Sequence, residues 1–561
     1  MSHHLIRRKT VSLVISLLLL FVTVKAKNFS MNAFENSQAD NLSSTEGWSV
    51  TRKAPYLIYE GNPQEMTLLW QLTTTGSCAL DWGTDTAYAL GSVQTAEYGD
   101  DHQHRYTFTG LQPATKYFYK VTAGSDIHKG SFRSAPADTA SNLKFLVYGD
   151  TRSYPQKHAL VAAKILETIR NDQDFQTILL SVGDLVHYGD QESYWDNEFF
   201  NPDYPDILNM LAALPYQSCR GNHEQSAVLF KKYFPYPFIG GRYWSFDYGP
   251  AHFAVVDQYT DYSSGSAQLN WLENDLATTT KPWKFLLFHE PGWSAGGHEN
   301  EKDVQNYIQP LCLRYNVPVV LAGHNHYYAR AVVDDIHHIT TGGGGAPIYA
   351  ADPDYPHVVT VAQVHHFCKI NIENDLLYFT VEDINNNQID YFVTNKYGIL
   401  PHDVTVSNVF LPKDQDSLLL RVPVKNPFEH TIEVKALLIG KSGLYADSLV
   451  LYDDGNHGDD SPGDGLWGNY ASDIPVEDEF TVAIAIADID SGMYFQSPDE
   501  ARFTTIGPLV LDHYRITSRD TIPHDGDKLK FEFFLRNDGS ATAADNITSQ
   551  IVPLDTFSII T

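Results

Sequence analysis

Four short apolar runs, Lys144–Tyr148, Thr177–Val182, Trp283–Phe288 and Val317–Ala322, each run straight into chemistry-bearing residues: Gly149-Asp150, Gly183-Asp184, His289 and Gly323-His324. Between them lie segments with helical spacing. Ala159, Ala162, Ala163 and Leu166 form one stripe near 156–170, and Val304, Ile308, Leu311 and Tyr315 another near 303–315. Apolar strands alternating with amphipathic helices predict an α/β layered core over residues 140–395. In open α/β sheets ligands gather beyond the strand ends, so residues far apart in the chain are expected to converge there.

Five short motifs occur in order: Gly149-Asp150-Thr151-Arg152, Gly183-Asp184-Leu185-Val186-His187, Gly221-Asn222-His223-Glu224, Phe288-His289-Glu290-Pro291 and Gly323-His324-Asn325-His326. Each alone is an ordinary turn; the ordered set resembles the calcineurin-like metallophosphoesterase superfamily, and more closely its purple acid phosphatase group. That resemblance, over residues 46–395, implies an αββα sandwich and two metal ions, with Fe, Zn, Mn and Mg all suited to such oxygen and imidazole donors. It implies that Asp150 and His326 hold the first ion, that Asp184 bridges, and that Asn222, His289 and His324 hold the second. A metal-bound hydroxide is then the expected nucleophile.

The first-metal pattern departs from the family. Superfamily members carry His two residues after the first Asp, where this chain has Arg152, which is always protonated and does not ligate. Purple acid phosphatases carry a Tyr three residues after the bridging Asp, where this chain has His187. His187 is therefore a candidate ligand, its alternative being a place outside the ligand set. Arg152 is a candidate phosphate clamp through its planar fork, its alternative a structural ion pair. By the same resemblance His223 faces the substrate phosphate, and His298, in a loop expected to be mobile because of Gly296-Gly297, is the candidate acid for the leaving group. Glu224 reads as a hydrogen-bonding partner rather than a ligand.

The rest of the chain is expected to be β-rich and multidomain. Residues 46–137 read as a β-sandwich, with runs such as Met66–Trp70 and Arg105–Phe108. The segment Leu111–Val121 resembles the end of a fibronectin type III module, in which a Tyr at a strand start bonds back to backbone. Residues 396–505 read as a C-terminal β-sandwich module and 506–561 as part of another, with Leu529–Leu535 and the turn Asn537-Asp538-Gly539 fitting a hairpin. Residues 1–26 read as a signal peptide: Arg7, Arg8 and Lys9, an apolar stretch from Val11 to Val24, then small residues near Ala26. Residues 27–45 read as a linker. The four cysteines, Cys78, Cys219, Cys312 and Cys368, form no CxxC pair, which argues against a cysteine metal site.

Three further features carry weaker signals. Asp453, Asp454, Asp459 and Asp464 are a candidate Ca²⁺ loop, with Asp-Gly turns the favoured alternative. The run Thr341-Gly-Gly-Gly-Gly-Ala-Pro347 lacks the Lys of a phosphate-binding P-loop and reads as a tight turn near the site. His337, His338, His365 and His366 read as core histidines.

A net charge of −30 repels nucleic-acid backbones, so no nucleic-acid partner is expected. The expected protein is a secreted phosphoesterase acting on a small-molecule phosphate monoester. It is extracellular or at the cell surface (periplasmic in a bacterium), with no membrane span in the mature chain, and the C-terminal modules are available for surface attachment. The alternatives are a phosphodiesterase or nucleotide hydrolase of the same superfamily, and a surface-binding protein that keeps the fold without the activity.

Overall fold

The computed structural model describes residues 49–413, 417–507, 509–516, 531–537 and 539. The signal and linker expectations lie outside them.

The chain opens with two antiparallel sheets. Thr51–Ile58, Met66–Leu72 and Gln103–Phe108 form one; Gly91–Thr95, Cys78–Gly83, Lys116–Ala123 and Asp126–Arg133 form the other. Strict alternation along Lys116–Ala123 buries Tyr117, Tyr119, Val121 and Ala123. Phe108 of the first sheet meets Phe132 of the second at 5.0 Å between ring centres. The Tyr117 hydroxyl accepts the Gln112 N–H at 2.9 Å, the back-bond expected at that strand start. This region is tied to the next by a buried lysine. Lys53 Nζ donates to Glu192 Oε1 at 2.8 Å and to Asp196 Oδ1 at 2.7 Å.

Two larger sheets follow. One runs in the order Tyr216–Ser218, Leu179–Ser181, Asn142–Tyr148, His366–Glu373, Leu376–Asp383, Gln388–Asn395. The other runs Trp244–Tyr248, Ala251–Val255, Trp283–Leu287, Val319–Ala322, Ile336–Thr341, Tyr328–Val333, Val358–Ala362. They meet face to face, with the Phe145 ring edge-on to Phe253 and Phe285, both at 5.3 Å. Alternation sorts the two cores: Phe285 and Leu287 lie in the core shared by the sheets, while Leu286 and Phe288 join Leu272, Leu276 and Leu311 under the helices Ala267–Thr278 and Gln309–Tyr315. The helix Pro155–Asn171 spans the first expected helical stripe; the second is a π-helical turn, Val304–Ile308, running into Gln309–Tyr315. His337, His338 and His366 are buried on or at the start of strands, as expected, whereas His365 is only half-buried, just before its strand, with Nδ1 3.1 Å from the Gly343 carbonyl.

Beyond residue 399 lies a separate all-β core built on Leu418, Leu420, Val422, Val434, Val482, Ile484 and Phe503. Its five-stranded sheet runs Phe410–Pro412, Tyr494–Ile506, Glu479–Asp488, Ile432–Gly440, Ala446–Leu451. The carboxylates at 453–464 serve their own turns. Asp453 accepts the N–H groups of Gly463, Asp464 and Gly465 at 2.8, 3.2 and 3.0 Å, and Asp459 accepts those of Gly455 and His457. The turn reading therefore describes this loop. The last described strand, Phe531–Asn537, pairs with the preceding Leu509–Ile516. The hairpin expected around Asn537–Gly539 runs into residues outside the described set.

Candidate functional site

Each motif sits where a core strand ends. Tyr148 precedes Asp150, Ser181 precedes Asp184, Ser218 precedes Asn222, Leu287 precedes His289 and Ala322 precedes His324. The strands are parallel and in register, Leu146 beside Leu179 beside Tyr216 in one sheet and Phe285 beside Val319 in the other, so their ends arrive together. Asp150, Asp184 and His324 then take φ of 56°, 56° and 69°, a left-handed conformation that non-glycine residues seldom hold unless the surroundings enforce it. Sharp turns of this kind aim the side chains back across the strand ends. The motif glycines have a steric role: a Cβ on Gly323 would collide with the Asp150 carboxylate, and one on Gly221 with that of Asp184.

Four donor atoms meet in one cluster. His289 Nε2 lies 3.3 Å from Asp184 Oδ1 and 3.1 Å from Asn222 Oδ1; His324 Nδ1 lies 3.2 Å from Asn222 Oδ1 and 3.3 Å from His289 Nε2. Donors ~2.0–2.1 Å from a tetrahedral ion stand about 3.3 Å apart, so these four edges, which all run through His289 or His324, have the size of edges in a coordination shell. The His289 tautomer is set by the fold, because its Nδ1–H donates to the Val182 carbonyl at 2.7 Å and leaves Nε2 facing the cluster. Burial works against charge on His289, but Asp184 and Asp150 outweigh it and lift its pKa to about 10. The oxygen and imidazole donors gathered here are of the kind that suits one ion. Asp150, Asp184 and His289 each bring a ligand atom within 4.8 Å of the others.

On the other side of Asp184 lie Asp150 and His326. His326 Nε2 is 3.5 Å from Asp150 Oδ1, and its Nδ1–H donates to the Pro347 carbonyl at 2.8 Å. Burial pushes Asp150 up to about 8, with the Asp184 charge adding to the rise, and pushes His326 down to about 3, with Arg152 adding to the fall. Arg152 reaches into this half. Its Nε donates to Asp184 Oδ2 at 3.2 Å and its Nη2 to His326 Nε2 at 3.2 Å. With Arg152 there, this half offers Asp150, Asp184 and His326 as donors, two of them already holding a guanidinium.

His187 is not brought to these donors. Its Nδ1 faces Ser153 Oγ at 3.3 Å and its ring lies 5.3 Å from that of His223. The backbone explains this: the His187 N–H is held by Glu198 Oε2 at 2.8 Å and its carbonyl accepts His223 Nδ1–H at 2.6 Å, so the imidazole is carried to the rim. His223 keeps Nε2 free toward the site, 3.9 Å from Asp184 Oδ2. The His298 ring stands 4.1 Å from that of His324. Its loop, with the Gly296-Gly297 pair, is held by hydrogen bonds in this structure. The two glycines hold φ of 85° and 95°, the His298 N–H donates to buried Asn325 Oδ1 at 2.7 Å, and the Ala295 N–H donates to the Tyr327 hydroxyl at 3.0 Å.

Glu224, Glu198, Asn325 and Tyr349 complete the site. Buried Glu224 accepts the N–H groups of Asp184, Leu185 and Gly221 at 3.0, 2.8 and 2.6 Å, locking the Asp184 turn to the Asn222 turn. Glu198 joins Ser153 to His187 through their N–H groups. The Tyr349 ring stacks on His326 at 4.1 Å. The glycine run pins the first turn: the Gly344 N–H donates to the Gly149 carbonyl and the Ala346 N–H to the Asp150 carbonyl, both at 2.8 Å. The glycine run and Glu224 carried a sequence signal; Asn325 lies within the Gly323–His326 motif with no role read for it, and Glu198 and Tyr349 sit in no motif.

Residues 119–328 match the Calcineurin-like phosphoesterase family, and residues 53–136 match the Purple acid Phosphatase, N-terminal domain. The chain is 26% identical over 298 residues to "Probable purple acid phosphatase 20" of Arabidopsis thaliana, which covers 48% of this chain and 66% of that protein. It is 26% identical over 325 residues to human "Acid phosphatase type 7", covering 50% and 71%. The match thus spans just under two thirds of the plant relative. Among solved structures, purple acid phosphatase PPD1 from yellow lupin (Lupinus luteus) seeds superposes with a TM-score of 0.52 at 18% identity, over 61% of this chain and 74% of that one.

Proposed function

We propose, starting from a chain that carries a calcineurin-like phosphoesterase domain and the N-terminal domain of purple acid phosphatases, that it is a secreted, metal-dependent hydrolase of phosphate monoesters. The observation that carries this reading is the cluster of Asp184, Asn222, His289 and His324, in which His289 lies 3.1–3.3 Å from the other three and His324 lies 3.2 Å from Asn222. A bound ion there would lower the pKa of water and withdraw charge from a phosphoryl oxygen. A second, family-type ion at Asp150, Asp184 and His326 requires Arg152 to move aside.

The chain's own residues supply the rest. Arg152, held by Asp184, His326 and Ser153, brings a fixed positive charge beside the cluster, suited to attract the anionic oxygens of a phosphoryl group. His223 presents Nε2 on the same side, its ring fixed through Nδ1. His298 stands beside His324 as the group that protonates the departing alkoxide oxygen. Export rests on residues 1–26, and any surface attachment on the modules after residue 396. Among the described residues no helix is long and apolar enough to cross a membrane.

The test is a panel of phosphate monoesters and diesters assayed with Mn²⁺, Zn²⁺ and Fe, beside Asp184→Asn. A carboxamide removes the anion shared by both halves of the site, so the expected outcome is loss of turnover together with loss of bound metal. Turnover of Asp184→Asn near that of the parent would overturn the assignment. Preference for diesters would move the reading to the phosphodiesterase branch.

A further inference from the structure

We propose that the Arg152 guanidinium is a built-in cation occupying the first-metal half of the site, so that this protein works with one bound ion rather than two. The inference deepens the metal-dependent reading above and rests on it.

The geometry is specific. Arg152 bridges the two halves by donating Nε–H to Asp184 Oδ2 and an Nη2–H to His326 Nε2, each at 3.2 Å. Those are the atoms an ion in that half would need. His326 has no other face to offer, because its Nδ1–H is committed to the Pro347 carbonyl. Asp184 Oδ1 points the other way, to His289 Nε2 and the His223 N–H, so the bridging carboxylate divides its oxygens between the ion cluster and the arginine.

Arg152 is also held in place. Its own N–H donates to the Asp184 carbonyl at 3.2 Å, its Nη1 donates to Ser153 Oγ at 3.2 Å, and its side chain is 11% exposed. Tyr349 stacks on His326, the imidazole that accepts from this guanidinium. His187, the remaining imidazole on that side, faces Ser153 instead. A guanidinium does not deprotonate in a protein. A permanent positive charge in hydrogen-bond contact with the donors repels a second divalent ion at short range, where the low-dielectric interior makes the repulsion strong. Asp150 and Asp184 then find their counter-charge in one ion and one arginine.

Two measurements on the full chain test this without reference to turnover. Mn²⁺ stoichiometry by equilibrium dialysis should be one ion per chain for the parent and two for Arg152→Ala, with Arg152→Lys staying at one. The electron paramagnetic resonance spectrum of the Mn²⁺-loaded parent should be that of an isolated ion, and that of Arg152→Ala the exchange-broadened spectrum of a close pair. Thermal melts confirm that each variant is folded. Two ions or a coupled spectrum in the parent overturns the proposal and leaves the phosphoesterase reading standing. One ion in folded Arg152→Ala also overturns it, because the guanidinium would not be what excludes the second. No ion in the parent overturns both.

Discussion

At the residue scale the site depends on a carboxylate and an amide that hold the backbone of the turns carrying its donors. Glu224 is wholly buried, and its two oxygens take three backbone N–H groups from two different turns. Glu224→Gln would turn an amide N–H₂ toward at least one of those donors and leave it unsatisfied, which costs about 1–3 kcal/mol. The expected outcome is a lower melting temperature and a fall in Mn²⁺ affinity on the order of 10–100-fold, the usual effect of losing a partner that orients ligands. Unchanged affinity in a folded variant would remove Glu224 from the ligand-positioning role. Asn325 does the same for His298, holding its N–H at 2.7 Å. His298→Ala should slow alkyl phosphates on the order of 100-fold while sparing aryl esters whose leaving group needs no proton. Asn325→Ala should reproduce part of that leaving-group dependence. Equal slowing of both ester classes would make His298 a binding residue.

At the scale of elements, one histidine joins three pieces of the second large sheet and its helix layer. His252, in the strand Ala251–Val255, contacts Asp247 of Trp244–Tyr248 through Nδ1 at 2.7 Å and Asp275 of the helix Ala267–Thr278 through Nε2 at 2.9 Å. Burial lowers its pKa, but the two carboxylates prevail and raise it from 6.5 to about 9. A pKa raised on folding stabilises the native state fully below the unfolded value, and the contribution is lost as pH climbs through the folded one. The window is therefore pH 6.5 to about 9. The ceiling is about 3 kcal/mol, lowered in practice because the Asp247 side chain is 44% exposed. Urea denaturation of the parent and His252→Gln should differ most at pH 6 and converge near pH 10. A gap of constant size across that range would sink the assignment.

At the scale of the whole molecule, the C-terminal β core shares a boundary with the catalytic region. Leu376 and Val393, on strands of the first large sheet, pack against the core built on Leu418 and Val482. Asn316 Nδ2 donates to the Lys396 carbonyl at 2.7 Å, and Lys425 pairs with Asp335. A protein ending at residue 395 should keep its metal site, because none of the site residues lies beyond it. It should nevertheless melt several degrees lower, since uncovering those two side chains removes burial worth up to ~1.5–3 kcal/mol each, and about 2–4 °C is lost per kcal/mol in a domain of this size. A folded 27–395 protein that no longer binds Mn²⁺ would show that the C-terminal module shapes the site.

The sequence by itself determined the strands, the order of the motifs and the residue types at their ends, because hydrophobic period and turn chemistry are local. Gly before Asp150, Asp184, Asn222 and His324 was legible for the same reason, although the cause became visible only in three dimensions: a Cβ would collide with the Val182 side chain at Gly149, with the Gly221 backbone at Gly183, and with the Asp184 and Asp150 carboxylates at Gly221 and Gly323. The Tyr117 back-bond and the inward role of Glu224 could also be read. What the tertiary structure decided were contacts across long separations. The His324 N–H meets the Asp150 carboxylate over 174 residues, and Arg152 meets His326 over the same distance. No local pattern encodes which of two nearby side chains, Arg152 or His187, reaches the shared donors. That choice follows from Glu198 and His223 holding the His187 backbone away while Ser153 and the Asp184 carbonyl hold Arg152 in. The glycine pair beside His298 shows the converse: the same residues that suggest slack in a sequence supply positive φ in a loop pinned from a distant turn by Asn325. Register between strands decides such matters, and register is a property of the assembled sheets.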